Sequence, residues 1–121
     1  MSKLLDANAI LRYLLDDIPD QASVTEQAIN DGAFTIGEVL SEVVYVLQGV
    51  YKLDRKDISD SIRSLLKEID IENKLVIKEA LDAYENTSLD YVDCLLYARA
   101  KLFREPVVSF DKKLNSKIKQ I

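Results

Sequence analysis

A chain of 121 residues, 48% of them hydrophobic and 31% charged, is long enough for one compact domain with a single core and too short for two. It contains no histidine, which excludes Ser-His-Asp and Cys-His catalysis and any His-ligated zinc site. A net charge of −5 argues against a general nucleic-acid binder, unless the acids are gathered in one place.

Along the chain, "KLLD" reads as a short strand that stops on Asp6, followed by a helix through Ile10, Leu11, Leu14 and Leu15. Pro19 opens a second helix over roughly 20–30, closed by "NDG". "AFTI" is a second strand and "GEVLSEVVYVLQGVY" a helix with a regular apolar stripe. Another helix spans about 55–68, and "IDI" is a weak third strand. Residues 73–85 and Leu89–Leu102 read as helices, and "PVVSF" is the last strand, ending on Asp111 before the basic "KKLNSKI". Strands separated by helices imply a three-layer α/β/α sandwich around a central parallel sheet of four or five strands, in one domain spanning residues 1–121.

No apolar run approaches the ~20 residues of a membrane span. Asp6 interrupts the short apolar run after Lys3, so no signal peptide is expected and the expected compartment is the cytoplasm. Cys94 has no partner in the chain and is expected in the core. There is neither GxGxxG nor GxxxxGK[ST], so no phosphate loop is offered.

Ligands of open parallel sheets sit at the carboxyl ends of the strands, where Asp6 and Asp111 both fall. Each has an ordinary role available as the N-cap of the helix that follows. Glu38 follows Thr35 by three residues, the spacing of a capping box, and is expected to be structural. Glu42, one turn further on, has no capping role, so an exposed face and a site both fit it. Asp90 fits an N-cap and Asp93 the third helical position, where a carboxylate suits the helix dipole. Yet Asp93 shares its face with Leu96, Tyr97 and Ala100, and a carboxylate buried there must be paired or bind metal.

"LLDANAILRYLL", "TIGEVLSEVVYVL", "LDYVDCLLYARA" and "VVSFDKKL" resemble, in that order and at comparable spacing, the acidic motifs of PIN-domain nucleases. The closest likeness is to the small toxin ribonucleases of VapC type. That resemblance implies that Asp6, Glu42, Asp93 and Asp111 converge to hold Mg²⁺ or Mn²⁺ for RNA cleavage, with Asn8 and Ser109 as supporting polar groups. It also implies an antitoxin partner, for which the helix face at Val43, Val46, Leu47 and Val50 offers a groove or a homodimer surface. Arg12, Lys112 and Lys113, with Lys117 and Lys119 further out, form a basic rim suited to RNA phosphates. Two rival classes remain: an inactive PIN-like scaffold that binds RNA or protein, and a phosphoacceptor receiver domain, which would need adjacent acids where this chain has "DAN".

Overall fold

The computed structural model describes residues 2–121, which group into two compact units, Met1–Glu72 and Asn73–Ile121. The first unit holds α1 (Ala7–Leu15), α2 (Pro19–Asn30), α3 (Gly37–Gly49) and α4 (Arg55–Leu66). Their starts follow from local chemistry. Asp6 caps α1 by accepting the Ala9 N–H at 2.7 Å, Pro19 occupies the first turn of α2, and Asp54 caps α4 through the Asp57 N–H at 2.8 Å. After α2 the chain reverses through Gly32 at φ +88°, a backbone region open to glycine and strained for other residues. Ile10, Leu40, Val43, Ile58 and Ile62, all fully buried, carry the apolar faces of α1, α3 and α4 into one core, as their helical spacing requires.

The expected parallel sheet does not form. Among the described residues there are seven helices and no strand, and two isolated parallel bridges, Leu4 to Phe34 and Phe34 to Asp70, stand where it was expected. The backbone bonds that remain are Phe34 N–H to Lys3 at 3.0 Å, Leu5 N–H to Phe34 at 2.8 Å, Thr35 N–H to Asp70 at 3.0 Å and Asp70 N–H to Ala33 at 3.2 Å. Helices cut the pairing short: α1 starts at Ala7 and α3 at Gly37, within three residues of the bridged positions. Where a ladder would continue, the Leu5 carbonyl accepts the Thr35 hydroxyl at 2.9 Å instead. The same bond overturns the capping box. Thr35 is buried with its hydroxyl on Leu5, α3 has Ile36 as its N-cap without a side-chain cap, and Glu38 lies exposed.

The second unit holds α5 (Lys74–Asn86), α6 (Tyr91–Phe103) and α7 (Lys112–Lys119). α5 packs along α6 over Ala80, Leu81, Tyr84, Cys94 and Ala98, each fully buried, and Tyr84 meets Tyr91 edge to face with ring centroids 6.0 Å apart. Cys94 is thus a core residue, as expected. α7 has one buried anchor, Leu114. Its N-cap is Asp111, which accepts the Leu114 N–H at 2.8 Å.

The last expected strand is also absent. Val107–Phe110 makes no ladder, and Val108 and Phe110 are 91% and 97% exposed. Its polar atoms are used locally: the Ser109 hydroxyl accepts the Asp111 N–H at 3.0 Å, and the Ser109 carbonyl accepts Asn115 Nδ2 at 2.8 Å. Such side-chain bonds compete with sheet pairing. Just upstream, Arg99 grips Glu105 through Nε at 2.8 Å and through a second nitrogen at 2.6 Å, fixing the turn out of α6.

Candidate functional site

Four acids were expected to act together. Two of them, Asp93 and Asp111, share one hollow of about 390 Å³ in the second unit, together with Ser88, Asp90, Lys112 and Lys113. Asp93 comes from the first turn of α6 and Asp111 from the N-cap of α7, so two helix starts deliver two carboxylates to one place. Burial, then the negative charges of Asp111 and Asp90, raise the Asp93 carboxyl above its ordinary value. Such a shift marks a carboxylate whose charged form is disfavoured by its surroundings.

Asp111 both caps its helix and lines the hollow. Oδ1 accepts the Leu114 N–H, and Ser109 fixes the backbone just before the cap by accepting the Asp111 N–H. Ser109, expected as a supporting polar group, thus bonds to the backbone of Asp111. Lys113 Nζ donates to the Ser88 hydroxyl at 3.2 Å, tying α7 to the turn before α6.

The other expected residues lie in the first unit. Asp6 is the exposed N-cap of α1 and Asn8 is exposed in its first turn. Glu42 lies on the solvent side of α3. Arg12 was expected to face RNA, but its guanidinium donates to Asp17 at 2.9 Å and to the Tyr51 hydroxyl at 2.9 Å. Its side chain is 12% exposed, so little of it is left for a phosphate. Of the expected apolar groove, Val43 and Leu47 are core residues, whereas Val50 is 67% exposed.

A hard divalent cation suits the acid pair in its donor chemistry, since the polar side chains lining the hollow beside Leu89 are carboxylates, a hydroxyl and ammonium groups, and imidazole is absent from the chain. Among the described residues no group of three or more acidic or thiol side chains is arranged to hold a metal ion. Mg²⁺ keeps several waters and is commonly held through one or two carboxylates, so the pair meets the smaller requirement. Sequence reading missed Ser88, which lines the hollow. The hydroxyl-rich "NTSLD" before α6 was the signal available.

The comparisons with known proteins bear on the whole chain. The PIN-domain profile matches residues 3–119. The chain is 30% identical over 120 residues, covering 92% of its length and 88% of the relative's, to a VapC ribonuclease of Aquifex aeolicus (strain VF5). No solved structure matches, and no helix among the described residues is long and apolar enough to cross a membrane. With a profile match over nearly all of its length and a VapC ribonuclease among its relatives, the chain belongs to the PIN-domain family.

Proposed function

We propose that this protein is a divalent-metal-dependent endoribonuclease that hydrolyses RNA phosphodiester bonds and acts as the toxin of a toxin-antitoxin pair. The observation that carries the chemistry is that Asp93 and Asp111, two of the four motif acids, share one hollow, in which burial and neighbouring carboxylates raise the Asp93 carboxyl. The likeness to a VapC ribonuclease over 92% of the chain supports RNA as the substrate and the toxin role. Asp6 and Glu42 enter on their sequence motifs. An antitoxin partner, a homodimer and a cytoplasmic location belong to the same reading.

Bound Mg²⁺ or Mn²⁺ would supply a water nucleophilic at neutral pH and charge neutralisation on the phosphoryl oxygens. Asp93 and Asp111 offer the carboxylate oxygens for it. The partial burial of Asp93 would strengthen its interaction with a cation, because the field is less screened there than in open solvent. Ser109 and the cap bond to Leu114 hold Asp111 in one orientation, so that little ordering is needed when the site is loaded. Lys112 and Lys113, on the rim of the hollow, place positive charge where a polyanion must approach two acids.

The rival, an inactive PIN-like scaffold, draws on one observation, that no three acids are arranged as metal ligands. One assay separates the two. Single-stranded RNA incubated with wild-type protein should be cut with Mg²⁺ or Mn²⁺ and left intact in EDTA, and Asp93→Asn should abolish cutting with both ions. RNA bound but uncut under all conditions would establish the scaffold, and cutting in EDTA would remove the metal from the reading.

A further inference from the structure

A second hollow, of about 520 Å³, adjoins the acid pair and differs from it in charge. It shares Ser88, Leu89, Lys112 and Lys113 with the first. Beyond that common wall, Asp90, Asp93 and Asp111 give way to Thr87, Ser116, Lys117 and Gln120. In a chain with 21 acids against 16 bases, a hollow lined by three lysines, three hydroxyls and no carboxylate is a local reversal of the average.

The lining is built rather than left to loose side chains. Lys113, Ser116, Lys117 and Gln120 recur at the three- and four-residue spacing of one face of α7. Across from them, the Thr87 hydroxyl donates to the Ala83 carbonyl at 2.7 Å and accepts the Leu89 N–H at 3.2 Å, which fixes the turn that carries Ser88. Lys113 spans the gap to Ser88. Lys117 Nζ lies 5.1 Å from the centroid of the Tyr97 ring, a cation-π contact that restrains its stem while its N–H donors remain available. Lys117 also sits in the last turn of α7, where the helix dipole favours a cation.

Convergent ammonium and hydroxyl donors of this kind fit a phosphate, whose oxygens accept several hydrogen bonds at once. We propose that this hollow is a subsite for a second, uncut phosphate of the substrate, with Lys113, Ser116 and Lys117 as its contacts. The inference rests on the nuclease reading and deepens it. A chain whose scissile phosphate lies at Asp93 and Asp111 crosses the shared wall of Ser88 and Lys112 and sets a neighbouring phosphate against α7. The substrate is then a single-stranded oligonucleotide, held by at least two phosphates, and not a mononucleotide.

Equilibrium binding tests this apart from cleavage. Fluorescence anisotropy with a labelled ten-nucleotide single-stranded RNA is run in EDTA, in the uncleaving Asp93→Asn background, across a range of salt. Each phosphate contact to a single strand contributes about 0.7 to the slope of log affinity against log salt. Adding Lys113→Gln and Lys117→Gln should therefore reduce the slope by about 1.4 and weaken binding several-fold. A control with Lys67→Gln and Lys78→Gln removes the same charge from exposed positions elsewhere and should leave the slope unchanged. Melting curves confirm that both variants are folded, and Ser116→Ala provides a milder second probe, weakening binding without changing charge. The subsite is refuted if the α7 pair leaves the slope unchanged, or if the control lowers it equally. Failure of the nuclease reading would appear instead as intact RNA with the wild-type protein and metal, a different measurement.

Discussion

Asp111 is the residue at which structure and chemistry can be separated most cleanly. It accepts the Leu114 N–H at 2.8 Å and so satisfies one of the backbone donors that every helix start leaves open. α7 is eight residues long with a single buried anchor, Leu114, and a helix so short is marginal without its cap. Asp111→Ala should cost about 1 kcal/mol, or roughly 3–6 °C in melting temperature for a domain of this size. Asparagine caps about as well as aspartate, so Asp111→Asn should melt within about 1–2 °C of wild type by the same conversion. Both variants remove a carboxylate from the acid hollow, and both should lose metal-dependent RNA cleavage. Circular dichroism melts in EDTA and a cleavage assay with Mn²⁺ read the two effects independently. Full activity in Asp111→Asn would show that the charge has no part in the chemistry. An unchanged melting temperature in Asp111→Ala would show that the cap contributes nothing.

Asp93 should reveal its strain through pH. Burial and the charges of Asp111 and Asp90 raise its carboxyl in the folded protein, so the folded state holds that proton more tightly than the unfolded chain does. Its contribution to stability is then fullest below the ordinary carboxylate value and declines as pH rises through the folded value. Asp93→Asn should accordingly melt above wild type at pH 7 in EDTA, with the gap closing towards pH 4; a variant that melts lower at pH 7 would mean that the helix dipole outweighs the repulsion. Glu42→Gln should abolish cleavage and Glu38→Gln should spare it, each with stability within about 0.5 kcal/mol of wild type because both side chains are exposed. Equal losses of activity in these two would remove Glu42 from the site.

The helices were legible because most carry an apolar stripe and several carry their own start signals, Asp6 and Pro19 among them. The sheet was misread because apolar runs of four or five residues do not distinguish a strand from an extended connection. "KLLD" and "AFTI" do lie alongside each other, in parallel and in chain order, but the helices at Ala7 and Gly37 leave room for one bridged residue each. "PVVSF" alternates in exposure as a strand would, yet Ser109 and Asn115 bind its backbone locally. The capping box failed for a related reason. Thr35 has the right spacing to Glu38, but its hydroxyl is drawn to the Leu5 carbonyl, a partner thirty residues away that local spacing cannot reveal.

The motif acids show why capping does not by itself exclude a chemical role. From sequence, the N-cap role of Asp6 or Asp111 looks like a complete account that leaves nothing for function. The bonds observed involve one oxygen in each case, Oδ1 to Ala9 N–H in Asp6 and Oδ1 to Leu114 N–H in Asp111. A carboxylate has about four lone-pair sites, so a cap occupies a minor part of its capacity and at the same time fixes its direction. An acid anchored through one oxygen is better prepared for a cation than one on a free rotamer, since less side-chain entropy is lost on binding. Asp93 lacks that anchor: it is held by its place in the first turn of α6 and by burial, with Asp90 and Asp111 opposing its charge. The pair thus combines one oriented carboxylate with one electrostatically strained carboxylate. On the proposed reading, a cation bound there would relieve the strain and use the orientation that the two helix starts provide.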